Sequence, residues 1–161
     1  MEKFQISIQN AKKNIRIADH MLVMTYPLIK DPKLLLSVLE NINQAITNSI
    51  SSILEYERIF KRIPPYQESF DSKLNMFRSK IMSRYGLNQE YLNLILEVNE
   101  ILREHKKSPI EFSRDDRFVI CSENYRMKTV GIPDLKKNIA KTKMFINQIE
   151  LLVSKNAGIF K

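Results

Sequence analysis

Two histidines, one cysteine and a scatter of acids are the residues of this chain that could do chemistry near neutral pH. In the stretch RIADH, Arg16 and His20 stand four apart and Asp19 stands three from Arg16, so a helix puts them near one another. Histidine titrates near neutrality and arginine stabilises phosphoryl charge. Such a set could serve acid–base chemistry on RNA or another phosphate ester. A surface pair beside a core stripe accounts for the same letters, and the sequence fixes no further group nearby. His105, in REHKKS, lies two residues from Arg103, so the two point in different directions on a helix, and the helix macrodipole alone favours a histidine there. Asp115 and Asp116 in SRDD could offer oxygens to magnesium, but Arg114 and Arg117 beside them balance their charge. Cys121 would need a neighbouring base to act as a nucleophile; beside Val119 and Ile120 it reads as a small packed residue. No Walker, dinucleotide or nucleophile-elbow pattern occurs, and the only glycines are Gly86, Gly131 and Gly158. No catalytic residue, metal or cofactor is assigned.

Binding chemistry is better represented. YERIFKRIPPYQ sets Tyr56, Arg58, Lys61, Arg62 and Tyr66 around one helix end, and EFSRDDRFVICSENYRMKTVG adds Arg117, Tyr125, Arg126 and Lys128. Aromatic faces stack on unpaired bases while Lys and Arg neutralise phosphates. The formal net charge is +8, and residues 101–161 carry 13 basic against 7 acidic side chains. The basic excess is therefore C-terminal. The residues expected to meet RNA or another polyanion are Arg117, Tyr125, Arg126, Lys128, Lys136, Lys137 and Lys141. A bias toward Lys, Ile and Asn could raise the charge with no ligand involved, and a hairpin edge with Arg and Tyr could equally dock a protein.

The elements that must position these residues are mostly helical. Phe4, Ile8, Ala11, Ile15, Ala18 and Leu22 repeat every three or four residues, predicting a first helix over 3–25 that Tyr26-Pro27 ends. Asp31 caps and Pro32 opens a long second helix, whose small residues Ala45, Ser49 and Ser52 predict a close neighbour. A third helix over 68–85 ends at Gly86, and Asn88 caps a fourth over 89–105. Residues 116–130 alternate as a two-stranded hairpin turning at Glu123-Asn124, with one apolar face down and basic side chains outward. A last helix runs over 133–156, with Lys137 and Lys141 opposite its core face. The expected class is all-α: one domain over 1–161, an antiparallel bundle of about five helices with a small β-hairpin between helices four and five. No stretch approaches the roughly 20 apolar residues of a membrane span, and the first residues lack an apolar signal core, so a cytoplasmic protein is expected.

The segments AKKNIRIADHML and LLLSVLENINQAITNSISSILEYE resemble the HEPN class of prokaryotic helical domains, over residues 5–60 and in the general bundle plan. That resemblance implies dimerisation, and frequently RNA cleavage or association with a nucleotidyltransferase. Its nuclease members carry an Arg and a His with about four to six residues between them, in a late helix. Here Arg16 and His20 have three residues between them on the first helix, Arg103 and His105 have one, and no His follows. The likeness thus points to a non-catalytic relative. The leading expectation is a non-enzymatic protein binding RNA or another polyanion; the alternatives are a homodimeric or protein-binding module and, behind both, a ribonuclease using His20 or His105.

Overall fold

A computed structural model of the chain describes residues 1–107, 111–114, 116–121 and 127–155, with only the backbone at 111–114. Tyr125, Arg126, the expected Glu123-Asn124 turn and the segment from 156 onward lie outside the described residues. Among those described, five helices surround one core, and a small antiparallel sheet stands between the fourth and fifth. The expected all-α class with a β insertion is what forms.

The first helix, α1, runs Lys3–His20, widens into a π-helical turn over Met21–Thr25, and continues through Tyr26–Ile29. It therefore does not end at Tyr26-Pro27. In the wide turn the Tyr26 N–H reaches back to the Met21 carbonyl, five residues away. A wider turn relieves the clash of a proline ring with the preceding turn, and Pro27 then sits at the start of a new helical segment, where its missing N–H costs little. Lys30, at φ 54°, closes the helix in the left-handed conformation.

The second helix, α2, spans Pro32–Ile59, with the Asp31 carboxylate accepting from the Lys33 N–H at 3.0 Å. The third, α3, runs Phe70–Met76, a second π-helical turn over Phe77–Ile81, then Met82–Tyr85. Ser69 caps its start and Gly86, at φ 57°, its end. The fourth, α4, is Gln89–Lys107, its first turn capped by Asn88. The fifth, α5, is Ile132–Ser154, where Asp134 accepts from the Gly131 N–H at 3.0 Å.

α2 is the central post. Leu35, Leu39, Ile42, Ile46, Ile53 and Leu54 are buried on it and face more than one neighbour. The small residues do what their size allows: Ser52 Oγ donates to the Phe4 carbonyl of α1 at 2.7 Å, a contact possible only between closely approaching backbones. α1 is antiparallel to α2, as Asn48 bonding Asn14 also requires. It is antiparallel to α5 too, since Lys12 pairs with Glu150 and Asp19 with Lys143. α2 and α5 consequently run the same way, and α3, α4 and the sheet form the return path between them. Phe77 of α3 meets Phe145 of α5 edge-on at 5.7 Å, locking the return path onto the post.

The sheet has three strands, β1 (Glu111–Arg114), β2 (Arg117–Cys121) and β3 (Met127–Gly131), in the order β1-β2-β3. The expected hairpin is the β2–β3 pair, and β1 adds a strand to it. Phe118, Ile120 and Val130 face the bundle and join the core. Val119, on the other face, is also only 6% exposed. The expected alternation is thus blunted: side chains on both faces of β2 are buried.

Candidate polyanion interface

The described residues among those expected to meet a polyanion differ in how they are placed. Arg117 is exposed and lies opposite Gly131 at the start of α5, with Lys136 and Lys137 exposed on the first turns of that helix. Lys141 is half-buried. Lys128 departs from the expectation of basic side chains outward. Directly opposed residues share a face of an antiparallel pair, and Lys128 opposes the core residue Ile120. It therefore faces the bundle, its stem half-buried and its ammonium 2.9 Å from Glu100 of α4. Tyr125 and Arg126 lie outside the described residues. What remains is Arg117 with the α5 lysines, beside the carboxylate of Asp134.

The histidine candidates divide as well. Asp19 is drawn to Lys143 of α5 at 2.9 Å, Arg16 lines a shallow groove between α1 and α5, and His20 is exposed. The RIADH trio is therefore not gathered into a site. Arg103 and His105 both line a cleft between α2 and α4, one on each side of Leu102. Asp116, at φ 60°, accepts from the hydroxyl of Tyr26, tying the sheet to α1. Burial, then the hydrogen bond and charge of Asp116, push the Tyr26 pKa up to about 12. Among the described residues no group of three or more His, Cys, Asp or Glu could hold a metal ion, and no helix is long and apolar enough to cross a membrane.

The densest organised chemistry lies where α2 ends and α3 ends, in the segment YERIFKRIPPYQ and its surroundings. Glu57 is 0% exposed, an ionisable group in a row otherwise made of Ile50, Ile53 and Leu54. A buried carboxylate needs partners. Arg62 Nη1 and Arg84 Nη1 approach its Oε2 at 3.4 and 3.3 Å, and the Tyr85 hydroxyl donates to its Oε1. Arg84 Nη2 also donates to the Arg62 carbonyl at 3.1 Å, so the two arginines are held to each other through the backbone. Their side chains stay 40% and 37% exposed, so each shows one edge to Glu57 and another to water.

Stacking fixes the guanidinium planes further. Arg62 lies 4.9 Å over the Phe60 ring, and Arg58 lies 5.2 Å over Tyr66. Lys61, at φ 54°, completes the tip between them. Burial works to lower the Arg62 pKa, but the charge of Glu57 and contact with Tyr85 outweigh it and hold it above its ordinary value. Burial and then the Glu57 hydrogen bond push the Tyr85 phenol up to about 12. Glu68 pairs with Lys73 at 3.1 Å and Glu55 with Ser7 and Lys3, yet both carboxylates also lie near Tyr66, and Glu68 near Arg58. With Lys3 and Lys73 included, six cations against three carboxylates leave a net positive tip.

The arginine–aromatic content of this tip was readable from the sequence; Glu57, Arg84 and Tyr85 were missed. Glu57 had a local signal, since it falls in the same helical row as Ile50, Ile53 and Leu54 and must therefore be buried and paired. Arg84 and Tyr85 had none, because only the tertiary fold brings the end of α3 to the end of α2. Compared with known protein families, curated proteins and solved structures, the chain matches none of them.

Proposed function

We propose that this chain is a non-enzymatic helical protein that binds single-stranded RNA through the α2–α3 tip, with the exposed α5 lysines as a secondary contact. The observation that supports it is the buried Glu57 carboxylate, which presets two half-exposed arginines before any ligand arrives. Preset guanidinium planes lose less freedom on meeting phosphates than free side chains do. Tyr66 and Phe60 beside them supply the stacking faces that unpaired bases use.

The test is fluorescence anisotropy of a labelled single-stranded RNA. Affinity is expected to fall steeply between about 50 and 200 mM salt as counterions are released. The Arg58→Ala/Lys61→Ala double variant, which leaves the Glu57 network intact, should weaken binding about tenfold, and Lys136→Ala/Lys137→Ala by less. Absence of binding at the lowest salt, or binding that ignores the tip variant, sinks the proposal.

One observation favours a second reading, a homodimer. At the α1–α2 corner Leu28 is 86%, Ile29 61%, Met24 57% and Val23 52% exposed. An apolar cluster of this kind is costly to leave in water and is a common mark of an association surface. Light scattering on the eluting protein tests it: a dimer converted to monomer by Leu28→Ser/Ile29→Ser supports the reading, and a monomeric parent chain removes it.

A further inference from the structure

We propose that the cleft between α2 and α4 is a mononucleotide pocket, holding a nucleobase against carboxamides and the nucleotide's phosphate against Arg103 and Lys106. The cleft encloses about 350 Å³, within the range of pockets that take small organic ligands and far more than one water needs. Its two walls differ in chemistry. α2 contributes Glu40, Asn43 and Gln44, a wall of acceptors and amides; α4 contributes Asn99, Arg103 and Lys106, one amide and two cations.

Asn43 Oδ1 is buried and meets no donor among the described residues, although it is a strong acceptor. Asn43 lines the cleft, and a turn of its side chain brings that acceptor to a ligand's donor. Carboxamides carry donor and acceptor in one plane, which matches the edge of a base. The Glu40 carboxylate only accepts, so it favours a base with an exocyclic amino group and repels a phosphate. The phosphate end is thereby sent to the α4 wall. Arg103 is free to receive it, since its ion pair with Asp71 is long, 3.8 Å, and open to water. His105 lines the same wall, its ring steadied edge-on by Phe118 at 5.7 Å. This pocket does not rest on the RNA-binding tip, which lies about 20 Å further along α2 by helical rise.

The experiment is isothermal titration of the whole chain with AMP, CMP, GMP and UMP separately, and with inorganic phosphate. Saturable binding of at least one amino-bearing nucleotide, stronger than UMP, is expected. Arg103→Ala, an exposed position that leaves the core untouched, should weaken it about tenfold, the usual loss of one charge-assisted contact. Glu40→Gln should reduce the preference over UMP. Arg58→Ala/Lys61→Ala should leave it unchanged, which separates failure here from failure of the tip. The proposal falls if no nucleotide gives saturable heat at millimolar concentration, if phosphate alone binds as well as the nucleotides, or if Arg103→Ala binds like the parent chain.

Discussion

Glu57 sets the character of the molecule at the scale of single residues. Replacing it with alanine leaves the Tyr85 hydroxyl without its acceptor and opens a small void, while the two arginines, half in water already, hydrate. A loss of about 2 kcal/mol in urea unfolding is expected, less than for a fully enclosed ion pair that loses one partner. The RNA affinity proposed for the tip should fall in Glu57→Gln as well, because the arginines lose the charge that aims them. Of the three tyrosines whose pKa is raised, Tyr26, Tyr66 and Tyr85, the first and last are pushed furthest and make a separate prediction. Tyr26 and Tyr85 are held near 12 in the folded chain, against about 10 when unfolded. The folded state keeps its protons longer, so their contribution is fully present below pH 10 and is lost as pH rises through 12. Phenolate absorbance should show two of the six tyrosines titrating last, and Tyr85→Phe should flatten the alkaline loss of stability. The sequence displayed the pieces of these networks but not their pairing, since Tyr26 and Asp116 are 90 residues apart.

Helix ends test the elements. Gly86 closes α3 at φ 57° with nothing within 4 Å of where a Cβ would stand. Gly86→Ala therefore carries no steric clash, only the left-handed penalty, and should cost about 1 kcal/mol by thermal unfolding. Lys30 occupies the same conformation at φ 54°, and Lys30→Gly should raise stability by up to about 1 kcal/mol. Such caps, with Asp31, Asn88 and the apolar stripes, made four helix starts and most helix ends legible. The π-helical turns were not, because one extra residue per turn hardly disturbs an apolar periodicity averaged over a helix. That is why Pro27 read as a stop. β1 was also missed: its four residues offered too short an alternation to separate from a loop.

The whole molecule is held by α5, which fills the seam that α1 and α2 leave open. Ile149 is 0% exposed there, and Ile149→Ala should cost about 2–5 kcal/mol. If the chain is one cooperative unit, far-UV and near-UV signals should lose stability together in that variant; separate transitions would show that α1 and α2 stand without α5. The shared direction of α2 and α5 was invisible in the pattern of letters. Periodicity reports which face of a helix is buried, not which way its neighbour runs.

The long connection from α2 to α5 has a consequence for synthesis on the ribosome. α1 and α2 are finished once residue 59 has been added, yet the side chains that close their seam extend to Val153. At about 5–20 residues per second, the apolar groove between them stays open for roughly 5 to 20 seconds in every round of translation. A slow codon stretch before α5 would lengthen that exposure, and the nascent chain would then be at its most attractive to a chaperone or to another copy of itself.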